Sequence, residues 1–249
     1  MNLVIDLGNT LSKVALFNEN DLSKKISFKN LTKEKLKILC RKHPKIKNVI
    51  LSSVIDHPKK ISDFLKDNFI SSRKKRDSIF IELSYKTKLP LENLYRSPKT
   101  FGKDRLAAAV GANMMFRNQN VLVIDAGTCI KYDFVNAKNQ YLGGGISPGI
   151  EMRLKALNKF TDKLPLINYK SFDKLIGQNT KESILSGVIN GVTEEVHGII
   201  SRYKKQYPNI KIVFTGGYSN FFEKINNIFV DPFLVMKGLN HILNFNEQK

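Results

Sequence analysis

Tryptophan is absent from the 249 residues, cysteine occurs twice and histidine four times. Cys40 and Cys129 show neither the spacing of a metal site nor a disulfide framework, so both are expected to be plain thiols. His43, His57, His197 and His241 occur singly and fit no catalytic or metal motif. No apolar run approaches the roughly 20 residues of a membrane span. Met1-Asn2-Leu3-Val4-Ile5-Asp6 has no basic region and no cleavage site, so a signal peptide is not expected and the cytoplasm is the expected location. The Gly-x-x-x-x-Gly-Lys-Ser/Thr nucleotide loop is missing, as are the protein-kinase set and the helix-turn-helix, zinc-finger and RNA-recognition signatures.

Acidic residues are also few, 22 against 41 Lys plus Arg, which leaves a formal net charge of +19. That excess favours an anionic partner such as nucleic acid, a membrane surface or a phosphorylated ligand. The basic residues are scattered, however. The densest run is Arg73-Lys74-Lys75-Arg76, and no aromatics interleave with it as single-strand binding would require. Neither nucleic acid nor a membrane is therefore expected as a partner. What is present, 42% hydrophobic and 25% charged residues, is ordinary for a globular chain of one large or two small domains.

The chain opens with an apolar strand, Leu3-Val4-Ile5-Asp6, a Gly8-Asn9-Thr10 turn and a second strand over Ser12–Phe17. A helix follows from Thr32, its expected N-cap, to Cys40. Asn48–Val54 reads as a buried strand, Lys59–Phe69 as an amphipathic helix and Ser78–Leu83 as a strand. Leu89–Thr100 is rich in loop residues, and a helix runs from about Asp104 to Met115. The pattern then restarts. Val123-Ile124-Asp125-Ala126-Gly127-Thr128 repeats Val4-Ile5-Asp6-Leu7-Gly8-Asn9-Thr10, with Asp6 and Asp125 119 residues apart. A repeat at half the chain length predicts two similar α/β halves, 1–116 and 117–249. The second half continues with a strand over Ile130–Val135, a Gly143-Gly144-Gly145 loop and a long helix from about Thr180 to Lys205. A strand over Lys211–Phe214, a Thr215-Gly216-Gly217 turn and a last helix over Pro232–Leu243 complete it.

A Gly-containing turn lets backbone N–H groups converge on phosphate oxygens, and a carboxylate at the end of the preceding strand can hold a cation beside them. Thr10, Thr128 and Lys13 add donors. A single copy is as well explained as an ordinary hairpin with a solvated Asp. Two copies at half-chain spacing, with Thr215-Gly216-Gly217 after a third strand, instead form the pattern of the actin, sugar kinase and Hsp70 ATPase superfamily, whose two ribonuclease H-like lobes enclose an ATP cleft. Between the two turns lies Tyr95-Arg96-Ser97-Pro98-Lys99-Thr100-Phe101-Gly102-Lys103-Asp104-Arg105. Asp104 at a helix entrance can accept a substrate proton, and Arg105 can clamp a carboxylate or carbonyl. The plain alternative is an Asp that caps its own helix beside a solvated Arg105.

Taken in order, these segments resemble type III pantothenate kinase along nearly the whole chain. Asp6-Leu7-Gly8-Asn9-Thr10-Leu11-Ser12-Lys13 is similar to the family's first phosphate loop, and Gly102-Lys103-Asp104-Arg105 to its pantothenate motif, with Tyr95 seven residues ahead of it. Val123–Thr128 resembles the second phosphate loop, Gly143–Gly149 the Gly-rich segment, Gly177-Gln178-Asn179-Thr180 the approach to a substrate-binding Thr, and Thr215-Gly216-Gly217 the adenosine loop. The resemblance implies transfer of the γ-phosphoryl group of ATP to pantothenate, with Asp104 as general base. It implies that Tyr95, Gly102, Lys103, Arg105 and Thr180 contact pantothenate, and that the Asp6 to Lys13 loop and Thr128 contact ATP. It also implies Asp6 near Mg²⁺, Asp125 at a monovalent cation (K⁺ or NH₄⁺), and a homodimer in which Thr180 is a candidate contact to the partner's substrate. Cys129-Ile130-Lys131-Tyr132 departs from the family pattern of small residues and Thr. Strand alternation puts Cys129 and Lys131 on one face, expected to be the solvent side. Two other readings stay open: a small-molecule kinase of the same fold with another acceptor, and a regulatory or nucleic-acid-binding protein that keeps the ATPase fold.

Overall fold

Burial decides the first strand. All six residues of β1 (Asn2–Leu7) are buried, and β1 runs antiparallel to β2 (Ser12–Asn18) in a computed structural model that describes residues 1–56, 59–70, 78–222, 225 and 227–247. The basic run at 73–76 and His57 lie outside the described residues. β3 (Asp21–Phe28) pairs antiparallel with β2 and forms an edge of the sheet. It was not expected from the sequence, because Asp21, Ser23, Lys24, Lys25 and Ser27 read as loop residues. On an edge strand such residues are at home, since lysines there oppose pairing with another chain.

α1 (Lys33–Lys42) starts at Thr32, whose side chain accepts a hydrogen bond from the Lys35 N–H, as the sequence predicts. β4 (Asn48–Ser53) lies parallel to β1, and α2 (Lys59–Phe69) buries Ile61, Phe64, Leu65 and Phe69. β5 (Phe80–Glu82), shorter than expected, completes a sheet ordered β3-β2-β1-β4-β5. The two-residue β6 (Glu92–Asn93) and α3 (Lys103–Met115) follow. The remaining elements are β7 (Val121–Ala126), β8 (Cys129–Val135), β9 (Gln140–Pro148), α4 (Ile150–Lys159), α5 (Thr180–Gln206), β10 (Lys211–Thr215), β11 (Phe229–Val230) and α6 (Leu234–Glu247). No described helix is long and apolar enough to cross a membrane.

The chain divides into two compact units. Unit 1 is Met1–Asn118, Val135–Gly143 and Phe233–Lys249; unit 2 is Gln119–Phe134 and Gly144–Pro232. The sheets do not divide at one point in sequence: β6, at 92–93, belongs to the sheet of β7 to β11, and the chain returns to unit 1 twice, through the start of β9 and through α6. In unit 1 the strand alternation splits the core. Leu3, Ile5, Val14 and Leu16 pack with residues of α1 and α2, whereas Val4, Ala15, Phe17 and Ile50 pack with residues of α3 and α6. The first residues of β9 pair with β6 through Glu92↔Gln140 and Asn93↔Tyr141. In unit 2 the strands β11, β10, β7, β8 and β9 lie side by side, and Leu122, Ile124, Tyr132 and Phe214 share a core with α4 and α5.

One expectation is corrected. Gly143-Gly144-Gly145 is not a loop but part of β9, because a Cβ on Gly144 would overlap the Tyr132 carbonyl. Glycine in a strand here marks a close backbone approach. α4 has no counterpart among the elements expected from the sequence.

α3 and α6 approach just as closely. A Cβ on Gly238 would overlap the Ala107 carbonyl oxygen, and one on Gly111 would lie 2.6 Å from the Leu234 carbonyl oxygen. The obstacles are backbone atoms, which cannot swing aside. Gly238→Ala is therefore expected to cost about 3 kcal/mol or more of unfolding free energy by overpacking. Urea denaturation checks this, and a loss under about 0.5 kcal/mol, the range of a neutral surface change, would contradict the helix contact.

Candidate active site

In unit 1, β1 is apolar from Leu3 to Ile5 and then carries Asp6. The Asp6 side chain continues the face of Val4, is buried, and accepts a hydrogen bond from Ser52 Oγ at 3.0 Å. Ser52 is its register partner on the parallel strand β4. Lys13 is the register partner on β2, so its side chain shares that face. The turn between is closed by Gly8 N–H donating to the Leu11 carbonyl at 3.2 Å, with Asn9, Thr10 and Leu11 exposed. Such a turn presents its backbone to solvent beside a buried carboxylate.

α3 begins at Gly102, with Lys103 its first residue and Asp104 in the first turn. Asp104 Oδ1 accepts from the Arg105 backbone N–H at 2.9 Å, a bond within its own first turn, while the N-cap of the helix is Gly102. Arg105 is not solvated as the plain alternative has it, because it is only 5% exposed. Its guanidinium donates to the Tyr141 hydroxyl at 3.0 Å and lies 5.7 Å from the Tyr95 ring centroid and 5.2 Å from that of Phe101. The three rings pack on one another, with centroids 4.7–6.0 Å apart. A buried cation needs such compensation. Tyr141 was missed from the sequence. It lies 36 residues past Arg105, and only the pairing of β9 with β6 brings it there.

In unit 2, β7 is apolar until Asp125. Lys131 Nζ lies 2.7 Å from Asp125 Oδ2, with side chains 16% and 12% exposed. This corrects the expectation that Lys131 faces solvent: the face it shares with Asp125 also carries Val121, Val123 and Asp133, all fully buried. Gly127 N–H donates to the Cys129 carbonyl at 3.0 Å, and Thr128 is exposed at the turn. The Thr215–Gly217 turn closes against the same strand end. Thr215 is the register partner of Asp125, Gly216 has φ +93°, and Tyr218 N–H donates to the Ala126 carbonyl at 2.9 Å. Gly216 is required on two counts, its positive φ and its approach to Asp125 Oδ1, which a Cβ would meet at 2.5 Å. Burial, together with Glu151, which accepts the Tyr218 hydroxyl hydrogen bond, pushes the Tyr218 hydroxyl up to about 12.

Thr180 belongs to a different feature. It opens α5, capped by Asn179, and lines an apolar groove of about 760 Å³ with Leu157, Phe160, Ile184 and Val188. Nearby, Glu195 accepts hydrogen bonds from Arg153, Tyr132 and Ser147, a cluster no motif announced. Burial opposes ionisation of Glu195, but those three hydrogen bonds outweigh it and hold its carboxyl below the usual range.

The match to known proteins decides the family. The model of type III pantothenate kinase matches residues 2–202. The chain belongs to the type III pantothenate kinase family. Type III pantothenate kinases of Phocaeicola vulgatus and Christiangramia forsetii are 43% and 42% identical to it, the first over 100% of both chains and the second over 99% of both. The Bacteroides fragilis relative is 41% identical over 99% of this chain and 98% of its own. Solved structures agree on the fold. A Baf family protein from Campylobacter jejuni superposes with TM-score 0.60 at 22% identity, covering 99% of this chain and 100% of that one. A ROK family protein from Streptococcus pneumoniae superposes with TM-score 0.51 at 10% identity, covering 100% and 99%. The chain thus has the two-sheet fold of the sugar kinase and actin-like ATPases, as the sequence predicts.

The ring cluster and Arg105 should be energetically coupled. In a double-mutant cycle of Tyr141→Phe and Arg105→Met, the expected coupling is about 1.5–3 kcal/mol, the range of a hydrogen bond to a charged group. Urea denaturation of the four proteins reads it, and additive losses would mean that Tyr141 does not hold Arg105.

Proposed function

We propose that the chain transfers the γ-phosphoryl group of ATP to the primary hydroxyl of pantothenate, giving 4′-phosphopantothenate, with Asp104 as the general base. The family supplies the reaction. The observation that carries the residue assignment is Arg105, held immobile among Tyr95, Phe101 and Tyr141 with Asp104 beside it at the start of α3. A fixed guanidinium is suited to the carboxylate or carbonyls of pantothenate, and Tyr95, Gly102 and Lys103 surround it in sequence. Asp104 would orient the primary hydroxyl and receive its proton as the phosphoryl group arrives. Phosphoryl transfer demands positioning and charge compensation more than covalent chemistry.

The 6–13 turn and Thr128 are each proposed to contact phosphates of ATP, and Thr215–Gly217 its adenosine. The exposed turn backbones and the absence of a side chain at Gly216 support this. Among the described residues no group of three or more His, Cys, Asp or Glu side chains could hold a metal ion by itself. Mg²⁺ fits the carboxylate of Asp6 in another way, carried on the nucleotide phosphates with several waters retained. When bound it neutralises phosphate charge. The monovalent cation does not fit in the same way, since the Asp125 carboxylate is already engaged by Lys131.

A homodimer in the cytoplasm completes the proposal. Phe160 and Leu175 are each 79% exposed, and Ile176 74%, which favours a covered apolar surface near Thr180. Light scattering should read twice the 28.4 kDa chain mass, and a monomer mass would remove the dimer.

Asp104→Asn removes the base but keeps the shape. It is expected to bind pantothenate while kcat falls about 10²–10⁴-fold, the usual worth of general-base help. ADP release coupled to NADH oxidation checks both terms. A near-normal kcat would take Asp104 out of the base role.

A further inference from the structure

Asp125 stands near the end of a strand whose other residues are buried and apolar, and its side chain is only 12% exposed. Oδ2 meets the Lys131 ammonium at 2.7 Å. Oδ1 faces the backbone of Gly216, where a Cβ would stand 2.5 Å away, and that of Gly127, where it would stand 3.7 Å away. Lys131 comes from β8, on the face that Asp125 also occupies. A carboxylate enclosed in this way is costly as an anion unless hydrogen bonds or a positive charge compensate it. The chain supplies that charge itself. A second cation on the same carboxylate would sit within a few ångströms of the ammonium, where like charges repel strongly in a partly buried site.

We infer that Lys131 is the resident cation of the second phosphate turn: its ammonium does the work of an external monovalent ion at Asp125, so nucleotide binding and turnover do not depend on K⁺ or NH₄⁺. The inference rests on the reading of Asp125–Thr128 as a phosphate turn. Chemically the substitution is direct. An alkylammonium carries the same unit charge as K⁺ or NH₄⁺, donates to the same carboxylate, and is tethered, so it cannot be washed out or exchanged. Lys131 is also the third residue of β8, the strand that begins directly after Thr128, the proposed phosphate contact. Lys131 is in these terms a positioning residue: it holds Asp125 and adds a fixed positive charge beside the nucleotide.

The experiment measures the affinity of a non-hydrolysable ATP analogue by calorimetry, in choline, Na⁺, K⁺ and NH₄⁺ chlorides at equal ionic strength with Mg²⁺ present. Pantothenate-dependent ADP release is followed in the same buffers. For the unaltered protein, Kd and turnover should agree within about twofold across the four salts. Lys131→Thr should lose about tenfold or more in affinity in choline and recover most of it in K⁺ or NH₄⁺, because a small ion then enters the vacated place. Lys131→Arg keeps a charge and should stay indifferent to the salt. Melting curves of each variant show that it is folded.

The proposal is overturned if the unaltered protein gains about fivefold or more in affinity or turnover on passing from choline to K⁺. It is equally overturned if Lys131→Thr loses affinity that no monovalent ion restores, since the pair is then structural only. If Asp125→Asn and Lys131→Thr both leave nucleotide affinity unchanged while pantothenate is still phosphorylated, the phosphate-turn reading itself fails, and the inference falls with it.

Discussion

An ionised carboxylate can end a buried strand only where something compensates it, and each sheet of this protein is built around one such place. β1 and β7 are apolar along the lengths that cross the cores, and each carries its one carboxylate close to the C-terminal end, at Asp6 and Asp125. Each has a parallel neighbour, β4 or β10, that sets a hydroxyl residue in register with it, Ser52 or Thr215. The compensation then diverges. Asp6 accepts from Ser52, whereas Asp125 is paired with a lysine of the adjoining strand. The internal repeat is therefore a repeat of geometry, with different chemistry installed at its two copies.

A second buried charge governs unit 1. Arg105 would be unstable in an apolar core without the Tyr141 hydroxyl and the faces of Tyr95 and Phe101. That cluster exists because β9 reaches β6 and brings Tyr141 opposite Asn93. It anchors the start of α3, and the small residues of that helix let α6 pack against it through Gly111 and Gly238. The helix that carries the proposed base is thus packed against α6 several residues beyond it.

Much of this was legible in the sequence where one signal dominated. Thr32 before an amphipathic run marks α1, apolar spacing marks α2, and the long helix expected from about Thr180 to Lys205 is α5. The Asp–Gly turns, the Gly102–Arg105 motif and Thr215–Gly217 were visible as patterns. What was not legible depended on partners distant in sequence. β3 looks like a polar loop because its edge position is a tertiary fact. The glycines of β9 look like a loop because the backbone they pass, at Tyr132, is not adjacent in the chain. Tyr141 carries no motif, and Lys131 looked solvated because alternation identifies a shared face but not what buries it.

The proposed function rests on one chemical claim, that a phosphoryl group is delivered to a primary hydroxyl. Phosphorus NMR of the product formed from ATP and pantothenate tests it most directly. The account expects a new phosphomonoester resonance split into a triplet by the two protons of the adjoining methylene, growing as ADP appears. A doublet would place the phosphate on the secondary hydroxyl, and inorganic phosphate alone would mean hydrolysis without transfer; either result would contradict the account.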